Sequence, residues 1–404
     1  SNMNIGIYIK SYFPNIGGAQ VSTHCLANSF IDLGHKVTIF TSPSSVKLCA
    51  SKSWEFNYRL ASIISPPEIL LHTFPSVWRY LLNLFFNRSI TNNKFDVVQI
   101  INAWPWAIAK LNNKNQRVPI VLRAVGDDLQ IDEIIGYGIR RNATINELIL
   151  DGYKRISFAI ANSETTYKEY QNIGLEEDKI KLIIPGVNNF IFNEAISKKD
   201  EIRDKYKMPN EKILLIAVGR NHAKKGYSTL VKALKYLNAD NNKFIIAIVG
   251  KNLKDLSLLA RNENQEQNFF PVEEISTTID KGVSQFPSEE LVHLYKSADY
   301  FIMPSLLETF GNVKLEAMAA GLPIIVTNTP GTYEGVKHNV NGIIIPKNSP
   351  KEIARTVHKL ESNPSFKLEL IKNALAFAEL QDWGNVAKKY LQIYKFNKIP
   401  SENI

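Results

Sequence analysis

A chain of 404 residues, 45% hydrophobic and 22% charged, is too long for one compact core and suits two domains. Its two cysteines, Cys25 and Cys49, and its seven scattered histidines exclude a disulfide framework and offer no zinc-ligand spacing. The net charge of +9 is spread along the whole chain, which argues against a dedicated nucleic-acid surface.

No apolar run approaches the ~20 residues that span a bilayer, so the expected location is cytoplasmic, at most peripheral at the inner face of a membrane. Ile5–Lys10 reads as a buried first strand, and a loop follows that ends in Gly17-Gly18. A helix is predicted over Ala19–Leu33 and a second strand over Val37–Thr41. This βαβ unit implies a parallel sheet. The Gly-x-Gly-x-x-Gly fingerprint is absent, which lowers a dehydrogenase reading.

Residues 69–88 are rich in large apolar groups and carry Arg79 and Arg88. The stretch suits a core helix or an amphipathic segment touching lipid. Phe95–Ile101 and Pro119–Ala124 read as strands. Asn102, Trp104-Pro105-Trp106, Arg123, Asp127 and Asp128 lie at or beyond their ends. Ligands of open parallel sheets sit outside strand C-termini, so Asn102, Arg123, Asp127 and Asp128 are candidates for an acceptor site. The two aspartates serve equally well as helix caps. Strands Ile156–Ala161 and Lys179–Ile184 complete the first half, and the polar run Asn193–Asn210 reads as a linker with a short helix.

The second half opens on a strand, Lys212–Val218, and a basic loop, Gly219 to Gly226, before a helix at Tyr227–Leu237. Arg220 and Lys225 stand where a diphosphate would need neutralising. Phe244–Val249 and Gly250 form the next strand and turn, and an amphipathic Ser288–Ser297 leads to a strand at Ala298–Met303. The loop that follows holds Glu308, Phe310, Gly311 and Asn312, and from Val313 the pattern is helical and includes Glu316. Free amides at Gly311, Asn312 and Val313 would hold phosphate. Phosphate repels carboxylates, so Glu308 and Glu316 are assigned to sugar and ribose hydroxyls. Asn339–Ile345 is predicted as a strand, Ser349–Leu360 as a helix, and a last amphipathic helix ends near Phe396.

The Pro-Ser, Glu-x-Phe-Gly, Glu-Ala-Met-Ala and Ala-Gly-Leu-Pro elements between Pro304 and Pro323, with Gly-Arg-x-x-x-x-Lys-Gly at Gly219–Gly226, resemble the signature of the retaining family 4 (group 1) glycosyltransferases. That resemblance implies an α/β GT-B fold, two doubly wound Rossmann-like domains facing across a cleft. The implied parts are an acceptor-binding domain at 1–190, a nucleotide-sugar-binding domain at 191–380 with a linker near 189–210, and a helix at 381–404 crossing back onto the first domain. It further implies Arg220, Lys225 and Glu308 as catalytic groups, and Gly17, Gly18, Gly250, Val283, Phe310, Gly311, Asn312, Val313 and Glu316 as donor-binding. Family members often read His-Gly-x-Asp where this chain has Val125-Gly126-Asp127-Asp128, so the role of that histidine is in doubt here.

The implied activity is transfer of a hexose-type sugar from a UDP- or GDP-sugar to an acceptor hydroxyl in polysaccharide, lipopolysaccharide or glycolipid assembly. No cofactor and no metal are called for, Asp-x-Asp being absent, and the leaving diphosphate is stabilised by cations and helix amides. The acceptor is a saccharide or lipid-linked saccharide, with peripheral membrane contact open. The alternatives are a non-catalytic nucleotide-sugar-binding subunit or a GT-B-fold epimerase.

Overall fold

The computed structural model describes residues 1–66, 70, 73–102, 118–273, 275, 279–280 and 283–396, with the backbone alone at 279–280 and 283–284. Trp104-Pro105-Trp106 and Gly282 lie outside the described residues, as does the side chain of Val283. The chain divides into two compact units: residues 1–185 with 279–284 and the segment from Trp383, and residues 186–278 with 285–382.

Among the described residues, the first unit builds a seven-stranded parallel sheet from β1 (Asn4–Ile9), β2 (Lys36–Thr41), β3 (Arg59–Ser62), β4 (Val97–Ile101), β5 (Ile120–Arg123), β6 (Phe158–Ala161) and β7 (Ile180–Leu182), in the order β3-β2-β1-β4-β5-β6-β7. The apolar runs forecast such strands: Ile5, Ile7, Val97, Val98, Ile120 and Val121 are all fully buried, as expected for a sheet covered on both faces. Ile5 pairs with Val37 on one side and Val97 on the other. The order reverses between β1 and β4, which makes their C-terminal ends the switch point of the sheet.

The helix Gly18–Asp32 starts one residue earlier than its periodicity suggests, capped by Gly17. The helix Pro75–Asn93 resolves the two readings of its sequence by residue face. Leu82, Phe86 and Ile90 are buried in the core, while Val77, Tyr80 and Leu84 are exposed. The last helix, Trp383–Phe396, packs within this unit. Its Tyr394 ring meets Phe30 at 5.7 Å, and its hydroxyl donates to Gln99 Oε1 at 2.7 Å.

The second unit carries a six-stranded parallel sheet: β8 (Ile213–Val218), β9 (Phe244–Val249), β10 (Phe269–Val272), β13 (Tyr300–Met303), β14 (Ile324–Thr327) and β15 (Ile343–Ile345), in the order β10-β9-β8-β13-β14-β15. Between β10 and β13 in sequence, β11 (Ile279–Asp280) and β12 (Val283–Ser284), which group with the first unit, form a two-stranded antiparallel pair. In the six-stranded sheet the order reverses between β8 and β13, the strands that precede the basic loop and the Glu308 loop.

The polar run 193–210 groups with the second unit and holds the short helix expected there. Its helix Lys199–Lys205 buries Arg203 completely. That guanidinium donates to the carbonyls of Ser297, Pro209, Asn210 and Lys212 and to Asp299 Oδ2, at 2.6 to 3.2 Å. A charge-rich composition concealed a buried hub. The strand expected over Asn339–Ile345 is confined to β15, because Asn339 takes a left-handed φ of 63° and its N–H turns back to Gly342.

Candidate functional site

In the second unit, the loops leaving β8 and β13 meet. The Leu306 N–H donates to the Lys224 carbonyl at 2.6 Å, so the basic loop and the acidic loop are joined through their backbones. Across that junction Lys225 Nζ lies 2.6 Å from Glu308 Oε1, which also accepts from Ser305 Oγ at 3.0 Å. Glu308 is 5% exposed. Burial pushes its carboxyl upward, yet the charges of Lys225 and Lys224 and the hydrogen bonds from Lys225 and Ser305 prevail. They hold it below the ordinary carboxylate range. Glu308 is therefore an ionised group that can accept hydrogen bonds and donates none.

Arg220 lies at the start of the same loop and is exposed. Burial first, then the charges of Lys224, Arg220 and Lys225, lower the pKa of His222 beside them. At the end of β9, Gly250 N–H donates to Val272 O. The basic loop thus presents an exposed guanidinium and a part-covered ammonium at the switch point of its sheet.

The acidic loop turns into the helix Asn312–Ala319 through Gly311, whose φ of 83° suits glycine, and a Cβ there would meet Met303 Cε at 2.2 Å. Gly311, Asn312 and Val313 are half-buried at the helix start, where N–H groups lack intrahelical partners. Phe310 departs from expectation. Its ring is wholly buried, under the ammonium of Lys314 at 4.3 Å, so no side-chain contact with a donor is available to it. Further along, Glu316 Oε2 accepts from Tyr295 Oη at 2.6 Å. Burial raises its carboxyl to about 7, against the lowering effect of that hydrogen bond.

The first-unit candidates divide sharply. Gly17 is extended, with φ −149°, and a Cβ on Gly18 would touch nothing within 4 Å. The fold itself demands glycine at neither backbone conformation. Asn102 follows β4 in a left-handed conformation, φ 79°, and its N–H donates to Arg123 O. Asp127 is half-buried. Asp128 is turned inward: it is fully buried, and its Oδ1 accepts from the N–H groups of Val125 and Gly126 at 2.9 and 3.1 Å. Arg123 is 5% exposed and hydrogen-bonds Tyr390 of the last helix, while its Nε is buried with no partner. Both were expected to face an acceptor. The structure uses the first to fasten its own loop and the second to anchor a helix.

Sequence reasoning missed Ser305, Tyr295 and Lys314. For Lys314 a signal existed: it shares the helix face of Leu315 and Met318, both fully buried, and a lysine on an apolar stripe is anomalous. Ser305 belongs to the Pro-Ser element of the signature but carried no assigned role there, and Tyr295 left no comparable mark. Among the described residues, no group of three or more His, Cys, Asp or Glu side chains is placed to hold a metal ion.

Residues 198–377 match the family model described as glycosyl transferases group 1, and residues 16–189 the model described as glycosyltransferase family 4. Over 393 residues the chain is 25% identical to a D-inositol 3-phosphate glycosyltransferase of Pseudarthrobacter chlorophenolicus, covering 94% of this chain and 90% of that one. It is 32% identical over 223 residues to an uncharacterized glycosyltransferase of Methanocaldococcus jannaschii, a match spanning 54% of each chain, so about half the length of that relative is covered. Among solved structures, Anabaena HepE in complex with UDP and glucose aligns with a TM-score of 0.76 at 17% identity, covering 98% and 100% of the two chains. A glycosyltransferase from Rickettsia africae aligns with a TM-score of 0.74 at 20% identity, covering 99% and 100%. With both halves matched in sequence and the whole chain matched in fold, this protein belongs to the family 4, or group 1, glycosyltransferases of the GT-B fold.

Proposed function

We propose that the protein is a retaining hexosyltransferase that takes its sugar from a UDP- or GDP-sugar and places it on a saccharide or lipid-linked saccharide hydroxyl. The observation that carries this reading is the Lys225–Glu308 pair at the β8/β13 switch point, 2.6 Å apart, on loops of which the acidic one leads into the helix Asn312–Ala319. The relatives add support: the HepE complex holds UDP and glucose, and a GT-B neighbour, WaaG, is described as involved in lipopolysaccharide biosynthesis.

In this reading, Arg220, Lys225 and the amides at Gly311, Asn312 and Val313 hold the donor diphosphate and neutralise the charge that grows as it leaves. Those cations perform the charge stabilisation that a divalent ion supplies elsewhere. Gly250 lies against the base, and Glu316 accepts from the ribose. Glu308 accepts from hydroxyls of the transferred sugar, and orients it. The bond from the anomeric carbon to the diphosphate oxygen breaks, and the acceptor oxygen bonds that carbon on the same face. The acceptor's proton passes to the departing phosphate. The first unit, with Asn102 and Asp127, serves the acceptor.

The helix Pro75–Asn93 supports a peripheral membrane role at the cytoplasmic face. It contains Arg79 and Arg88 and no acidic residue, and exposes Val77, Tyr80 and Leu84. Tyr80, Leu84 and Arg88 line a shallow groove of about 400 Å³ there. Apolar anchors beside cations suit an anionic lipid surface.

The direct test is release of free nucleoside diphosphate from a panel of nucleotide sugars, with and without acceptors, followed by NMR of the product's anomeric centre. Acceptor-dependent release with retained configuration is expected. Binding without turnover across the panel contradicts the proposal and favours a non-catalytic subunit.

A further inference from the structure

Lys314, the third residue of the helix Asn312–Ala319, has no exposed surface. A lysine amine among Leu315, Ala317 and Met318 carries a desolvation penalty that a leucine would not, and burial lowers its pKa to about 7 against the opposing charges of Glu308 and Glu334. Its Nζ donates to Thr332 O at 2.7 Å and Gly331 O at 3.4 Å, and rests on the Phe310 ring. Both carbonyls belong to the loop after β14.

That loop holds Glu308 at two points. The Pro330 carbonyl accepts the Glu308 N–H at 2.9 Å. A Cβ on Gly331 would lie 1.8 Å from the Glu308 carbonyl oxygen, so the two backbones are in contact there. A second route runs through hydroxyls. Thr329 Oγ1 reaches Thr332 Oγ1 at 2.8 Å and donates to Ser305 O at 2.6 Å, and Ser305 Oγ donates to the Glu308 carboxylate. Through these hydrogen bonds the Lys314 side chain clamps the element that fixes both the main chain and the carboxylate of Glu308.

We propose that Lys314 is a positioning residue: by tying Gly331 and Thr332 to the start of the helix, it sets the Glu308 carboxylate against Lys225. The inference rests on the donor-site reading for its effect on turnover, and on geometry alone for its effect on the ion pair. With no exposed surface, Lys314 acts through Glu308. A lysine within the apolar face of this helix is thus part of the machinery that aims the acid.

The test reads both effects in the full chain. Lys225 reactivity toward an amine-acylating reagent is measured by peptide mass spectrometry in wild type, Lys314→Met, Lys314→Arg and Glu308→Gln, alongside kcat and donor KM. Lys314→Met is expected to speed Lys225 acylation several-fold, toward the Glu308→Gln rate. Its kcat should fall by about tenfold or more, the scale of a small misplacement, with donor KM changed far less. Lys314→Arg, which can still reach both carbonyls, is expected to restore both. Unchanged acylation and kcat in Lys314→Met overturn the proposal. Should Lys314→Met fail to fold, Lys314→Gln replaces it under the same criteria. If wild type turns over no nucleotide sugar, the donor-site reading fails, while the acylation rates still decide the clamp.

Discussion

Tyr295 donates a hydrogen bond to Glu316 at 2.6 Å, and burial nevertheless raises that carboxyl to about 7. Unfolded, the same group titrates near its ordinary value of 4.5. Between these values the folded chain holds a proton that the unfolded chain has released, so raising the pH favours unfolding. The contribution of Glu316 is most favourable below pH 4.5, declines through about 7 and then levels off, with a total swing of up to about 3 kcal/mol. Glu316→Gln keeps an acceptor for Tyr295 and removes the ionisation. Denaturant melts from pH 5 to 8 should show the variant gaining on wild type as pH rises; a constant difference contradicts the account.

Arg203 provides the clearest stability prediction. Its buried guanidinium serves four carbonyls and Asp299. Arg203→Met leaves those acceptors unserved, and should cost about 3–5 kcal/mol. Urea unfolding measures it, and a loss below 1 kcal/mol contradicts the hub.

Gly331→Ala should lower both stability and activity. Gly331 has φ 75°, and the added methyl would lie against the Glu308 carbonyl oxygen. The strain should cost about 1–3 kcal/mol, and moving Glu308 should reduce turnover. Thermal melts and initial rates that both match wild type would show that this contact is slack.

The fold was legible because its signals are local. Apolar, β-branched runs such as Ile5–Ile9 and Phe244–Val249 read as buried strands, and the Tyr227–Leu237 helix begins where Gly226 ends the loop. Lys225 and Glu308, 83 positions apart, were both singled out, but their pairing depends on the β8/β13 adjacency that no local pattern encodes. Arg123 and Asp128 misled for a different reason. Strand-end position marks where ligands can bind, and polar groups there also fasten loops and helices; burial decides between these uses, and it is a tertiary property. Arg203 reads as one more charge in a polar run, since its carbonyl partners lie as far as Ser297.

Glu308 itself should separate binding from transfer. In the free protein its charge neutralises Lys225, so Glu308→Gln releases that cation for phosphate. Nucleoside diphosphate binding should hold or tighten while transfer is abolished and the fold stays intact. Because its carboxyl sits below the ordinary value of 4.5, wild type gains stability from this group above that pH and loses it as pH falls further. Glu308→Gln should lack that acid-side loss, as melts from pH 3 to 6 would show.

Isothermal titration of UDP and GDP into wild type, Lys225→Met and Arg220→Ala bears most directly on whether the basic loop grips the donor diphosphate. With circular dichroism confirming the fold, each variant should lose roughly ten- to a hundredfold in affinity for the nucleotide that wild type prefers, the scale of a charge-assisted contact, and wild-type binding should weaken with salt. Affinities unchanged in both variants would place the diphosphate elsewhere.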